Sequence, residues 1–407
     1  MKKTVLREYA KLIAKAGANV QKGQEVFIQA ELDQPEFVAM VVDECYKLKA
    51  KKVVVDWSYQ PLTKLHVRYR SVKTLSTLDN YEEARWQHYV DTIPCRIYLI
   101  SEDPDGLRGV NQEKMAKSQQ AKYPIIKGYR DQIENKYQWC IAAVPGEKWA
   151  KKLFPELRAS QAVEKLWEAI LKTSRVTDDP IQAWEEHNKD LHDRCEYLNS
   201  LHISELRYKS SNGTDFTVGM IPEAQFCGGG ETSLQGIFFN PNIPTEECFI
   251  SPMRGVAEGI VYATKPLSYQ GQLISGFWIR FHEGKAVEWH AEENNELLTK
   301  LIEMDEGSRY LGECALVPFD SPINQTGLLF YNTLFDENAC CHLALGMGFA
   351  DTIRDFRNKT LDECRKLGVN DSMIHEDFMI GSADLSIDAV CEDGKTVAIF
   401  RNGTWAF

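Results

Sequence analysis

Short apolar runs separated by amphipathic helical patterns dominate the first half of the chain. Two of these runs are KVVVDW at 52–57 and RIYLIS at 96–101, and two others lie at 25–28 and 139–144. A helical pattern at 35–49 precedes the first of the two quoted runs. Such alternation of buried strands with helices favours a parallel sheet covered by helices on both faces. The first half is therefore predicted to be an α/β domain.

The second half has a different pattern. Turn sequences recur between short alternating strands, which predicts a hairpin at 207–220 around Asn212-Gly213, a meander at 259–291 and a last hairpin at 393–394. A length of 407 residues suits two or three domains. We predict an α/β domain at 1–200 and a mixed α+β domain, largely antiparallel sheet, at 201–407.

The charge balance argues against two classes of partner. The chain has 47 Lys and Arg against 59 Asp and Glu, a formal net charge of −12. An acidic protein repels the phosphates of nucleic acid and of anionic membranes on average. No segment approaches 18 consecutive apolar residues, the length that would indicate a membrane span. We expect neither a nucleic-acid nor a membrane partner.

The cysteines indicate a reducing compartment. There are eleven, an odd number, without a CxxC pair, and Cys340 and Cys341 are adjacent. Disulfides are rare in reducing compartments, and this pattern does not resemble a disulfide framework. A cytoplasmic location is the expectation.

One local pattern suggests a metal ligand pair. His375 and Asp377 flank Glu376 in SMIHEDFMIGS. In an extended strand, residues two apart face the same side, so an imidazole nitrogen and a carboxylate oxygen could reach one ion. An HxD pattern is, however, more often incidental than functional.

Three further positions carry open alternatives. Glu313, in the apolar segment LGECALVP, would be costly to bury unpaired and therefore needs a cation, a cage of hydrogen bonds or a raised pKa. His342, in CCHLALG, is either a ligand or a hydrogen-bonded histidine at a helix start. Glu247, in NIPTEECF, is either a ligand or part of a solvated acidic turn with Glu246.

Several long segments resemble a known family. They are NPNIPTEECFISP, YATKPLSYQGQLISG, GECALVP, SPINQTGLLFYNTLFDENACCHLALG, HEDFMIGSADLSIDAV and FRNGTW. Together they resemble the thermophilic-type metalloaminopeptidases of metallopeptidase family 29, which includes aminopeptidases T and S and PepS. The resemblance extends over essentially the whole chain. It implies a two-domain hydrolase that removes amino-terminal residues from short peptides, paired as a homodimer.

The resemblance also implies a metal site with two divalent ions per subunit. Zn or Co fits the oxygen and nitrogen donors best, and Mg or Mn is possible. Two ions can lower the pKa of a shared water to about 7, which would activate it for attack on the first peptide bond. Glu247 and Glu313 would be catalytic as well as ligating. The implied ligands are Glu247, Glu313, Glu337, His342, His375 and Asp377.

One position departs from the family pattern. Phe349 stands where the family has a tyrosine, seven residues after the ligand matching His342. A phenol there could donate a hydrogen bond to the developing oxyanion, which phenylalanine cannot do. Tyr331 or Tyr269 could supply the hydroxyl instead, or Phe349 could simply pack on a helix face. Lys265, in the same segment as Tyr269, is a further candidate to line the substrate path.

Two alternative functions follow from these residues. His342, His375 and Asp377 form a two-histidine, one-carboxylate set of the kind that holds a single Fe(II) for oxygen chemistry. Retention of both glutamates argues against this alternative, because a mononuclear iron site does not use them. The second alternative is a peptide-binding relative with impaired catalysis, and it depends only on Phe349.

Overall fold

The computed structural model describes residues 1–407. The α-helices are α1 Lys3–Leu12, α2 Pro35–Lys47, α3 Gln60–Tyr69, α4 Val72–Ser76, α5 Asn80–Thr92, α6 Gln112–Ile133, α7 Glu147–Leu153, α8 Ala159–Thr173, α9 Pro180–Ser200, α10 Asn295–Ile302, α11 Thr333–Asp336 and α12 Leu361–Leu367. The strands are β1 Glu25–Glu31, β2 Lys52–Ser58, β3 Cys95–Ile100, β4 Trp139–Ala143, β5 Ile203–Lys209, β6 Asp215–Met220, β7 Glu231–Thr232, β8 Phe238–Phe239, β9 Asn242–Ile243, β10 Cys248–Ile250, β11 Pro252–Tyr262, β12 Leu267–Tyr269, β13 Gln272–His282, β14 Lys285–Glu293, β15 Leu311–Leu316, β16 His342–Gly346, β17 His375–Met379, β18 Ser386–Cys391, β19 Thr396–Arg401 and β20 Thr404–Trp405.

The chain forms two compact units. The first consists of Met1–His187 and Gly230–Thr245, and the second of Asn188–Gly229 and Glu246–Phe407. The chain therefore leaves the first unit within α9 and returns to it for a short segment. The domain boundary placed after residue 200 from the sequence stays a prediction.

The first unit contains a five-stranded parallel sheet in the order β2-β1-β3-β4-β9. Its centre is apolar because Val26, Ile28 and Ala30 alternate on one buried face of β1. Helix α2 begins with Pro35 in its first turn, where the missing N–H costs no hydrogen bond, and buries Phe37. The predicted α/β architecture of the first half is confirmed.

The second unit is mainly antiparallel sheet, also as predicted. A nine-stranded sheet runs β12-β13-β11-β6-β5-β18-β19-β20, with β14 added beside β13. It contains the expected hairpin of β5 and β6 and the expected meander of β11 to β14. A separate four-stranded sheet, β10-β15-β16-β17, is antiparallel throughout. Every residue of its two central strands is buried.

One interpretation of the sequence placed His342 at the start of a helix, as a hydrogen-bonded histidine, and the structure places it in a strand. It is the first residue of strand β16 and not the start of a helix. The run HLALG is too short for hydrophobic periodicity to separate a buried strand from a buried helix. The position of the histidine in a central strand leads directly to the site described below.

A glycine at the end of β16 allows this sheet to close. Gly346 has φ of +104° and pairs with His375, and a Cβ on it would lie 2.1 Å from the carbonyl oxygen of Ile374. We expect Gly346→Ala to destabilise the fold by more than about 3 kcal/mol, because backbone strain and a backbone clash add together. Thermal unfolding measures the effect. Gly394→Ala is the matched control, since Gly394 has φ of +82° with open space around its Cα, and an equal loss in both variants would contradict the clash.

The cysteines and helices complete the description. All eleven cysteines are free thiols, and each except Cys227 is buried. None of the helices combines the length and the apolar character needed to cross a bilayer.

Candidate metal centre

The register of the four-stranded sheet brings distant residues to one face. Across the sheet, Glu313 pairs with Ala344, and Ala344 pairs with Asp377. Directly opposed residues in an antiparallel sheet point to the same side, as do residues two apart on one strand. His342, two residues before Ala344, and His375, two residues before Asp377, therefore share that face with Glu313. The sheet aligns four chemically active side chains.

These side chains form two donor groups. In the first, donor atoms of Glu247, Glu313 and His342 all lie within 4.8 Å of one another, and in the second the same holds for Glu313, His375 and Asp377. Glu247 joins the set because it directly precedes β10, the edge strand of the same sheet. Glu313 belongs to both groups. Five of the six residues that the sequence resemblance grouped therefore lie together in the fold.

The contacts between the groups are close. Nε2 of His375 lies 3.1 Å from Oε2 of Glu313 and 3.4 Å from Oδ1 of Asp377. Nε2 of His342 lies 3.4 Å from Oε2 of Glu247 and 4.0 Å from Oδ1 of Asp377. Each imidazole thus faces two carboxylates with the same ring nitrogen.

Burial makes this concentration of acid costly. The side chains of Glu313, His342 and Asp377 are all less than 10% exposed, and that of Glu247 is 12% exposed. Burial raises the pKa of Glu313 to about 7 against the opposing effect of His375. Burial also disfavours the charged form of His342, but the hydrogen bond with Glu247 and the charge of Asp377 outweigh it and raise the pKa to about 9. The site holds more buried acid than its histidines can neutralise.

One buried oxygen atom of the site has no hydrogen-bond donor. Oδ1 of Asp377 is buried and accepts no hydrogen bond, although it faces Nε2 of both histidines. A buried carboxylate oxygen without a donor is strongly disfavoured unless a cation compensates it. Carboxylate oxygens and neutral imidazole nitrogens are the donors that Zn²⁺ and similar ions use. The residues present therefore fit divalent metal ions.

The second nitrogen of each imidazole is held by the backbone. Nδ1 of His375 lies 2.7 Å from the carbonyl oxygen of Met347, and Nδ1 of His342 lies 3.3 Å from that of Cys340. A hydrogen bond donated from Nδ1 leaves Nε2 as the lone-pair nitrogen that can bind a metal. Sequence reasoning missed these carbonyls, because any residue type supplies one.

Glu337 lies beside the same cluster. It is buried in a short 3₁₀ turn directly after α11, and burial followed by the charges of Asp377 and Glu247 raises its pKa well above the usual range. Asn338 holds it in place by donating from Nδ2 to Oε1 of Glu337 at 3.2 Å and accepting the backbone N–H of Glu246 at 2.7 Å. Asn338 was not predicted, because its position next to a predicted ligand is its one distinguishing feature in the sequence.

Phe349 borders the cluster directly. Its ring centre lies 4.7 Å from that of His375 and 5.6 Å from that of Phe249, against which it packs edge to face. Phe349 lies in the loop that follows β16, and its backbone N–H donates to Oγ of Ser251 at 2.7 Å. The ring therefore packs on a histidine and on a residue of β10, and a role limited to packing stays a prediction.

Two of the other three candidates, Lys265 and Tyr269, make hydrogen bonds outside the donor groups. Nζ of Lys265 donates to Oδ1 of Asn324 at 2.9 Å. The hydroxyl of Tyr269 accepts from Nε2 of Gln270 at 3.0 Å, and burial followed by the charge of Glu376 raises its pKa. Tyr331 is half-buried before α11, with φ of +55°. None of these contacts includes a member of the two donor groups.

The chain is similar to several known aminopeptidases over nearly its full length. It is 40% identical to aminopeptidase AmpS of Bacillus subtilis, covering 99% of this chain and 98% of that protein. It is 36% identical to aminopeptidase T of Thermus aquaticus, covering 98% of each. The solved structure of wild-type AmpT from Thermus thermophilus superposes with a TM-score of 0.89 at 35% identity, covering all of both chains.

A second solved structure shares the fold at low identity. It is a 2,5-dihydroxypyridine dioxygenase from Pseudomonas putida, with a TM-score of 0.53 and 12% identity over 99% of this chain and 96% of that one. At this identity the likeness concerns the fold alone. The family model described as thermophilic metalloprotease (M29) matches residues 2–405. This chain belongs to the thermophilic metalloprotease (M29) family.

Proposed function

We propose that the chain hydrolyses the first peptide bond of short peptides with two divalent metal ions held by the two donor groups. The chain is a metalloaminopeptidase, as its family and its aminopeptidase relatives indicate. The observation that carries the dinuclear proposal is the position of Glu313, which belongs to both groups. A carboxylate has two oxygens and can therefore connect two ions.

The ligand assignment follows from the same contacts. Glu247 and His342 would hold one ion with Glu313, and His375 and Asp377 would hold the other. Glu337 would be the sixth ligand, because it lies buried beside Asp377: burial followed by the charge of Asp377 raises the pKa of Glu337, and a hydrogen bond with Glu337 contributes to the lowered pKa of Asp377. Zn or Co suits this mixture of oxygen and nitrogen donors best, with Mg or Mn as alternatives.

Two such ions would supply a water whose pKa is lowered to about 7 and would polarise the scissile carbonyl group. The protein contributes the remaining functions. Met347 and Cys340 orient the histidines through their carbonyls, and the sheet fixes the spacing of the donors. One of two carboxylates, Glu247 or Glu313, would accept the proton from the water.

The excess of carboxylate groups also favours binding of the amino terminus of a peptide substrate. The α-amino group of a peptide is positively charged near neutral pH, and the acids of the site attract it. This attraction is the physical reason to expect an exopeptidase. The homodimer and the cytoplasmic location expected from the sequence belong to the same proposal.

Metal stoichiometry tests the dinuclear proposal. We expect the purified protein, loaded with Zn²⁺ and dialysed, to retain two ions per chain by elemental analysis. His342→Ala should lower this number to one, because it removes a ligand that belongs to one group only. His290→Ala is the matched control, since His290 lies on β14 outside both groups, and it should leave the number at two. A single iron per chain would contradict the proposal and favour the mononuclear alternative.

A further inference from the structure

A basic cavity lies in the first unit, whereas the donor residues of the candidate metal centre all belong to the second unit. Its volume is about 340 Å³, and helix α3, the loop after residue 107 and the start of α6 form its wall. The charged wall residues are all basic: Lys64, Arg68, Arg108 and Lys114. The sequence did not single out this group, because its members come from three separate segments.

Local structure brings these four cations together. Lys64 and Arg68 are four residues apart on α3, so they share one face of the helix, with the buried Val67 beside them. Lys114 lies in the first turn of α6, and Arg108 is exposed in the loop before it. Like charges at this spacing repel one another, so the arrangement costs stability unless an anion is present.

Lysines on the surrounding surface, unlike those of the cavity, form ion pairs with carboxylates. Lys117 on α6 pairs with Glu113 at 2.6 Å, and Lys152 pairs with Asp105 at 2.9 Å. Lys122 and Lys148 likewise have carboxylate partners. The four cations of the cavity have no ion-pair partner, although the chain carries an excess of twelve acids. An anion bound from solution would compensate their positive charge.

Helix α6 begins at the cavity, and its amino terminus adds to the positive electrostatic field there. Helix α6 is 22 residues long, and the side chain of Asn111 caps its first turn by accepting the N–H of Lys114 at 2.9 Å. The amino terminus of a helix carries partial positive charge and favours phosphate. This effect supplements the four side chains and does not replace them.

We propose that this cavity binds a small anion of the phosphate class that carries at least two negative charges. Arginine and lysine together favour phosphate oxygens, since the guanidinium group offers paired donors and the ammonium a compact charge. The volume is near the lower limit of ligand pockets, which suits inorganic phosphate, pyrophosphate or a small phosphate ester. The inference does not depend on the proposed peptidase mechanism.

Isothermal titration calorimetry of the metal-loaded protein with pyrophosphate and with inorganic phosphate tests the proposal. We expect saturable binding at low ionic strength that weakens as salt is added. The double variant Arg68→Gln/Lys114→Gln should weaken pyrophosphate binding by at least about tenfold. The matched control is Lys300→Gln/Lys366→Gln, which removes two exposed cations of the second unit and should retain the affinity of the parent protein within about twofold.

Two results would overturn the proposal. One is the absence of saturable heat in the parent protein at millimolar pyrophosphate. The other is equal affinity in the cavity variant and the parent protein, which would assign the binding to another place, including the candidate metal centre. Retained circular dichroism and metal content in the cavity variant show that a loss of binding is local. Tighter binding of pyrophosphate than of inorganic phosphate would support a site that uses several charges.

Discussion

Glu313→Gln is expected to abolish peptide hydrolysis and the binding of at least one metal ion. Glutamine keeps the size of the side chain but removes the negative charge and one acceptor oxygen, so it cannot connect two cations. The loss in kcat should be at least about a thousandfold, because removal of even one hydrogen-bond donor to a transition state costs about a hundredfold to a thousandfold. Metal analysis and hydrolysis of an aminoacyl p-nitroanilide measure the two effects in the same preparation.

Glu376→Gln is the matched control. Glu376 lies between His375 and Asp377 on β17, so its side chain points to the opposite face of the sheet. Burial raises its pKa to about 8, so the neutral amide closely replaces the protonated acid at neutral pH. This variant should keep its metal and its activity. A Glu313→Gln protein that retained two ions and full activity would exclude the bridging role.

Phe349→Tyr is expected to raise kcat/KM by about a hundredfold. The ring of Phe349 contacts that of His375, so a hydroxyl added to it would lie beside the reacting groups. A phenol can donate a hydrogen bond to charge that develops on the carbonyl oxygen, and such a donor stabilises the transition state more than the substrate. The gain should therefore appear mainly in kcat, with KM nearly unchanged.

Phe249→Tyr is the control for this effect. Phe249 packs edge to face against Phe349, so its replacement by tyrosine adds the same hydroxyl to a neighbouring ring. We expect it to leave kcat close to that of the parent protein. If Phe349→Tyr also has no effect, the ring serves only for packing, and the activity of the chain does not require the hydroxyl. If hydrolysis is detectable only in Phe349→Tyr, the parent chain is the impaired relative considered from the sequence.

The architecture of the first unit was readable because its strands carry a strong local signal. Runs such as KVVVDW and RIYLIS are short and rich in apolar residues, which is typical of strands. RIYLIS lies mostly in β3, an inner strand with alternate residues buried, whereas KVVVDW lies in the edge strand β2, where no residue is fully buried. Strand β9 was not predicted, because Asn242–Ile243 is only two residues long and pairs with β4 from a distant part of the chain. A strand that short has no periodicity to detect.

The candidate site was only partly readable from local pattern. The HxD arrangement predicted that His375 and Asp377 share a face, and strand β17 confirms it. The meeting of this pair with Glu313 and His342 depends on the register between three strands, which long-range packing sets and no short segment encodes. The sequence resemblance supplied that grouping. The burial and contacts of the groups emerged only from the fold.

The arrangement of the donors on three neighbouring strands has a consequence for the synthesis of the protein. Glu247 and Asp377 are more than a hundred positions apart, and β17 is the last of the three strands to leave the ribosome. Contacts between such distant segments form late, because closing a long loop costs entropy before any contact rewards it. The nascent chain therefore lacks the complete donor set until most of its length has been translated, and a metal ion that requires this set would be bound only after translation of β17.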